Sequence, residues 1–390
     1  MNMEFITKEL TLLKEKGLYR KLRPLGGRQG VRMEYEGREI LLFSSNDYLG
    51  LASNEKVQEA AKKAIDQFGC GAGASRLVSG TMLLHEELER KIASFKKKES
   101  ALLFTSGFMA NLGILQAVAE RGDIIISDRL NHASLLQGAA LSGAKLKRYL
   151  HKDMKSLEKI LASAQGYKKR IIVTDGLFSM DGDLAPLPAI TDLAQKYDAI
   201  TMVDDAHGTG VFGENGRGVA EHFGVEDKID IHMGTLSKGI GSLGGFMAGS
   251  SELRELIINK GGSFIYTTAP PPPILAASIA AIDIIQNEPL LRRSLREKYT
   301  FLRKELNRIG FNTMDSESQI IPILIGETSK AMEISKTLMD EGFLVPAIRP
   351  PTVPQGQSRL RLSLSAAHSD RDIDDLIAAL QRVGKKTGNI

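Results

Sequence analysis

The feature that most restricts this chain is a series of short apolar runs set among helix-like stretches. They are "ALLF" at 101–104, "DIIIS" at 123–127, "RIIVT" at 170–174, "AITMV" at 199–203 and "IDIHM" at 229–233. A strand with one wet face alternates polar and apolar residues, and these runs do not. Both faces must be covered, as they are in a parallel sheet flanked by helices. The stretches between have helical spacing. Leu84, Leu88, Ile92 and Phe95 recur at that spacing, and so do Val57, Ala61, Ala64, Ile65 and Phe68, with Gly69 placed as a C-cap. The pattern predicts α/β architecture with a mainly parallel central sheet.

At 390 residues the chain exceeds the usual size of a single core, which predicts two domains. The large domain is expected over 45–280, after an N-terminal segment 1–44. "TTAPPPPI" at 267–274 closes the strand–helix alternation, because four consecutive prolines continue neither a helix nor a central strand. Beyond it lie a long helical stretch, "QIIPILI" (319–325), a helix near 329–341, "FLVPAI" (343–348), "RLRLSLS" (359–365) and a final helix. This tail predicts a smaller C-terminal α/β domain, 281–390, of βαβ-like form.

Charge narrows the function classes. Fifty-one basic and 47 acidic residues give a net charge of +4, too balanced for a nucleic-acid-binding stripe but compatible with small anionic ligands. The single cysteine, Cys70, permits neither an internal disulfide nor a cysteine metal cluster, which fits a reducing cytoplasm. The first residues mix acids with lysines, unlike a signal peptide, and no uncharged window is long enough to span a bilayer. A cytoplasmic protein that engages no membrane is expected.

Two stretches match G-x-G-x-x-G, at 208–213 and 239–244. Neither has the strand-glycine-helix setting of a dinucleotide fingerprint, and "GTLSKG" has the wrong order for a P-loop. Four other features follow strand-like runs. In "VDDAHG", Asp204, Asp205 and His207 read either as a strand-end turn, as metal ligands, or as a carboxylate and imidazole facing a ligand crevice; no further ligands cluster nearby, so no metal is expected. In "LFTSGFMAN", Thr105, Ser106 and Gly107 form either an ordinary N-cap or a phosphate site at a helix N-terminus. His132 lies in "LNHAS". Lys238 sits in "GTLSKGIGSLGG", where glycines permit close backbone approach. A lysine that forms a Schiff base must be partly desolvated and must approach a carbonyl closely. Taken alone, Lys238 reads as an incidental lysine on a glycine-rich loop. Together with an aspartate for a pyridine nitrogen, a helix N-terminus for phosphate and a histidine to stack, it points to pyridoxal 5′-phosphate.

The motifs "SSNDYLGL", "LNHASLLQGA", "VTDGLFSMDGDLAPL", "VDDAHGTGVFGENGRG", "GTLSKGIGSLGG" and "IRPPTVPQGQSRLRLSLSAAH" resemble those of the α-oxoamine synthases, a branch of fold-type I pyridoxal phosphate enzymes. The resemblance runs from about residue 15 to the C-terminus. It implies a fold-type I transferase in which Lys238 is the Schiff-base lysine. It also implies that Asp204 pairs with the pyridinium nitrogen, His207 and Ser179 lie near the ring hydroxyl, and His132 stacks on the ring. Gly107, Phe108 and Thr235 are implied cofactor contacts, and Thr267 and Thr268 are implied phosphate ligands for the other subunit of a homodimer. Arg361 and Asn46 match the clamp on an amino-acid carboxylate, and Arg20 and Thr352 match further substrate-side positions. Where this chain has Asp175, relatives often carry Glu, and no catalytic part is assigned to it. The arginine–proline–proline segment and "SRLVSG" resemble the member that joins L-alanine to a pimeloyl thioester, on coenzyme A or a carrier protein, in biotin biosynthesis. The alternative is the member that joins glycine to acetyl-CoA.

Overall fold

The structure, a computed structural model, describes residues 3–388. Strands β1 (Arg32–Tyr35) and β2 (Arg38–Leu42) form an antiparallel hairpin near the N-terminus. The central sheet follows, from β3 (Ser100–Phe104), β4 (Ile124–Asp128), β5 (Lys145–Tyr149), β6 (Arg170–Asp175), β7 (Ile200–Asp204), β8 (Ile231–Thr235) and β9 (Gly245–Gly249). Its order is β3-β9-β8-β7-β6-β4-β5, and every pairing is parallel except those of β9, which runs against both β3 and β8.

The apolar runs lie in this sheet for the reason their composition implies. Neighbouring residues on one strand enter different cores: Ile126, Ile172 and Val203 join one apolar cluster, while Ile125, Ile171 and Met202 join another. Successive side chains point to opposite faces, and helices cover both. Strand β5 has the sequence KLKRY, with only Tyr149 fully buried, and it ends the sheet at the edge opposite β3. Charged side chains on an edge strand deter further pairing, and they also remove the apolar signature by which the other strands are recognised.

The C-terminal part corrects the expected βαβ form. Strands β10 (Ile320–Gly326), β12 (Ala347–Ile348) and β13 (Ser358–Ser363) make a sheet in which β13 runs antiparallel to both neighbours. Strand β11 (Phe343–Leu344) leaves that sheet and pairs in parallel with β2. Pro346 divides "FLVPAI" into β11 and β12, since it lacks the N–H that a continuous ladder needs. Between β10 and β13 the chain passes through helix Thr328–Asp340, β11 and β12, and these extra passages bring β13 back reversed.

The proline run does not end in coil. Helix Pro272–Asn287 opens on it, with prolines in the first turn, where a missing N–H costs nothing. This helix packs on helices Glu55–Phe68 and Leu83–Phe95. Among the described residues no single helix is long and apolar enough to cross a membrane.

Candidate active site

All strands of the central sheet except β9 end on the same edge. Beyond that edge the segments after β3, β4, β6, β7 and β8 enclose a cleft of about 560 Å³. Its lining includes Gly107, Phe108, Asn111, His132, Asp175, Asp204, His207, Thr235 and Lys238. Strand register alone places Asp175 beside Asp204, and Asp204 beside Met233. A crevice at the carboxyl ends of parallel strands is where open α/β sheets bind ligands.

The glycines around Lys238 allow close packing. A Cβ on Gly245 would lie 2.5 Å from the Ser106 carbonyl oxygen, so only glycine lets this loop press on the turn that opens helix Gly107–Val118. The glycines after Asp204 have a similar use. At Gly218, where φ is +115°, a side chain would overlap the Asp205 carboxylate. Asp205 faces away from the cleft lining and pairs with the buried Lys96 at 3.1 Å. Within the two glycine motifs themselves, a Cβ on Gly208 would lie 2.1 Å from Asp205 Oδ1 and one on Gly239 would lie 2.6 Å from the Thr209 carbonyl oxygen, so both motifs serve packing.

Asp204 is held from two sides. Its Oδ2 accepts a hydrogen bond from Asn111 Nδ2 at 2.6 Å, and its Oδ1 accepts one from the Ala206 N–H at 3.0 Å. Asn111 Nδ2 also donates to Ser134 Oγ at 2.8 Å, which ties β7 to helices Gly107–Val118 and Ala133–Ser142. Lys238 is half-buried, its Nζ 3.1 Å from His207 Nε2. Burial moves the amine below its ordinary range, while the Asp204 and Asp175 carboxylates oppose that shift. His207 Nδ1 lies 2.6 Å from Tyr48 Oη. Burial and the Lys238 and Arg361 cations keep this imidazole neutral, well below its ordinary value. Asp175 is pushed well above the carboxylate range by burial and then by the neighbouring Asp204 charge.

His132 caps helix Ala133–Ser142. Its Nδ1 accepts from the Ser134 N–H at 3.3 Å and lies 2.7 Å from Ser134 Oγ, and its ring meets Phe108 edge-on at 6.4 Å. Burial lowers its proton affinity, with Asp204 opposing. Arg361 on β13 donates through Nε to the Ser179 carbonyl at 2.6 Å, and through Nη2 to Asn46 Oδ1 at 3.4 Å.

Seven of the cofactor-side and substrate-side residues expected from sequence lie outside the cleft lining, Asn46 and Arg361 among them. Ser179 meets Arg361 through its backbone carbonyl. Thr267 is half-buried, and Thr268 is exposed and bridged to Ser75. Arg20 is exposed in a separate groove with Tyr19 and Arg349, and Thr352 is exposed on the loop after that arginine. Sequence reasoning missed Tyr48 and Asn111. Asn111 was legible as the one strongly polar side chain in an otherwise apolar run, GFMANLGIL.

A cationic clamp frames the site. His151 Nδ1 lies 3.0 Å from Asp128 and Nε2 lies 2.9 Å from Asp183, joining the end of β4 to the loop that carries Ser179. Burial disfavours the charged ring, but the hydrogen bonds to the two carboxylates overcome it and raise the pKa to about 9. The folded state therefore holds this proton more tightly than the unfolded chain. The stabilisation is fully present below about pH 6.5 and is lost as the pH rises through about 9, a contribution on the order of 2 kcal/mol after solvent screening. Asp183, held below its ordinary value against burial by His151 and Lys152, reports the same ion pair from its other end. Urea melts of wild type and His151→Asn across pH 6–10 should show that only wild type loses stability over this window. Parallel profiles would remove the clamp.

The donor set fits pyridoxal phosphate. Lys238 offers an amine for its aldehyde, Asp204 a fixed carboxylate for a protonated ring nitrogen, and the first turn of helix Gly107–Val118 its free N–H groups for phosphate. Such a site on such a sheet defines a fold-type I pyridoxal-phosphate-dependent enzyme. The comparisons agree. The family model for class I and II aminotransferases matches residues 38–380. The chain belongs to that family, in its α-oxoamine synthase branch. It is 51% identical to an 8-amino-7-oxononanoate synthase of Geobacter sulfurreducens, over 98% of each chain. It is 50% identical to one of Citrifermentans bemidjiense, over 99% of this chain and 100% of the relative. Among solved structures, it superposes on a serine palmitoyltransferase of S. paucimobilis, bound to PLP and myriocin, with a TM-score of 0.94 at 30% identity, over 99% and 98% of the two chains. An 8-amino-7-oxononanoate synthase of Francisella tularensis gives 0.78 at 28% identity, over 90% and 99%.

Proposed function

We propose that this chain condenses L-alanine with a pimeloyl thioester to give 8-amino-7-oxononanoate and CO2, releasing coenzyme A or a carrier protein, as a step of biotin biosynthesis. The observation that carries the reading is the convergence of Lys238, His207 and Asp204 in a cleft whose chain is half identical, end to end, to synthases of that name.

When bound, pyridoxal phosphate supplies an aldehyde that captures the amino group and a ring that withdraws electrons from the α-carbon. Lys238 takes the α-proton, and burial shifts its amine toward the neutral form that this requires. Asp204 keeps a proton on the ring nitrogen, where an adjacent negative charge favours it. His207 and Ser179 would serve the ring hydroxyl. The N–H groups of Gly107 and Phe108 hold phosphate, and Thr235, bonded to the Gly244 carbonyl, fixes the neighbouring turn. Arg361 and Asn46 grip the alanine carboxylate, the guanidinium by a paired contact that lysine cannot copy. His132 accepts at Nδ1, so its neutral ring carries the proton at Nε2. That N–H donates to the oxyanion that forms when the α-carbon attacks the thioester. Arg20 and Thr352 serve the acyl side.

We also propose a homodimer. Leu77 (54% exposed), Val78 (80%), Leu83 (83%) and Tyr266 (86%) expose apolar surface near Thr267 and Thr268, as an uncovered subunit interface would. Residues 45–280 form the cofactor-binding unit, with 281–390 and the N-terminal segment supplying the substrate side. The lone exposed Cys70 suits a cytoplasmic setting.

Parallel assays test the reaction. Alanine with pimeloyl-CoA should give CO2 and the amino-ketone, while glycine with acetyl-CoA should turn over far more slowly. A preference for glycine would overturn the proposal in favour of the sister activity.

A further inference from the structure

The hydrogen bonds behind His207 determine where its proton sits, and they begin at Asn46. Asn46 Oδ1 lies 3.0 Å from Tyr48 Oη and 3.4 Å from Arg361 Nη2. A guanidinium only donates, so the Asn46 atom facing it is the carbonyl oxygen, an acceptor. The Tyr48 hydroxyl therefore points its single proton at Asn46. Its oxygen then presents only lone pairs to His207 Nδ1, 2.6 Å away. Two acceptors cannot bond, so Nδ1 carries the imidazole proton. In a neutral ring Nε2 is then an acceptor, and it lies 3.1 Å from Lys238 Nζ. Tyr48 is wholly buried, at 0% exposure, between these partners. Gln319 Nε2 steadies the same turn by donating to the His207 carbonyl at 2.9 Å.

We propose that Tyr48 is a positioning residue that carries the donor–acceptor order set at Arg361 and Asn46 to His207, fixing its Nδ1–H tautomer and aiming the Nε2 lone pair at Lys238. One consequence rests on the function proposed above: the chain of bonds then joins the carboxylate clamp to the amine that moves the α-proton. The tautomer itself is independent of that reading.

The test uses the full-length protein freed of cofactor and labelled with nitrogen-15 histidine. The seven histidines give few signals, and His207→Gln assigns the one needed. Wild type should show His207 protonated at Nδ1. In Asn46→Leu, Tyr48 keeps its hydroxyl but loses its acceptor. The hydroxyl should turn to donate to Nδ1, and His207 should change to the Nε2–H form. The proposal falls if wild type carries the proton at Nε2, or if Asn46→Leu leaves the tautomer unchanged. Should Asn46→Leu not fold, Tyr48→Phe decides by the same criterion. An enzyme inactive on alanine with pimeloyl-CoA would instead overturn the clamp reading and leave the tautomer result standing.

Discussion

Lys238→Ala should reduce turnover at least about 10⁴-fold, because it removes the amine for the cofactor aldehyde and the base for the α-proton together. The variant should still fold. Lys238 makes one side-chain hydrogen bond, to His207, and the glycine loop around it is held by its own backbone bonds, including Leu236 N–H to the Gly244 carbonyl at 2.9 Å. Two readouts separate chemistry from folding. Wild type mixed with pyridoxal phosphate should trap a borohydride-reducible yellow adduct on one peptide, the one containing Lys238, and the variant should trap none there. A variant that keeps both the adduct and its activity would end the assignment.

Asp204→Asn should slow abstraction of the alanine α-proton by about 10²- to 10⁴-fold while leaving cofactor retention largely intact. An amide is neutral and cannot hold a proton on the ring nitrogen by charge. The fold should tolerate the change. Asn111 Oδ1 is buried and has no hydrogen-bond partner among the described residues, so a flip of that side chain offers an acceptor to a new amide at 204. Exchange of the α-proton of alanine with deuterated solvent, followed without any acyl donor, measures the step directly. Exchange at the wild-type rate would mean that Asp204 has no electronic part.

Both residues were legible in the sequence because each directly follows a strand, and a buried parallel strand announces itself by its own composition. Asp204 ends β7, and Lys238 stands three residues beyond β8. The same logic exposed Gly107 after β3 and His132 after β4. It failed at β5, where an edge strand needs no apolar run, and in the tail, where Pro346 and two short strands reverse a path that apolar content alone reads as βαβ. The site was partly misread for a related reason. Residue type shows that a serine can donate a hydrogen bond, but it does not show that Ser179 meets Arg361 through its carbonyl.

By itself the sequence determined the buried strands of the central sheet, the residues poised at their ends, the family and the cofactor, since these depend on local composition and short motifs. Tertiary structure alone decided which of those ends meet. The insertion of antiparallel β9 between β3 and β8 and the in-register pairing of β6 with β7 follow from nonlocal packing. So does the bond between Tyr48 and His207 across 159 residues, because a hydrogen bond depends on distance in space, and spacing along the chain does not encode it.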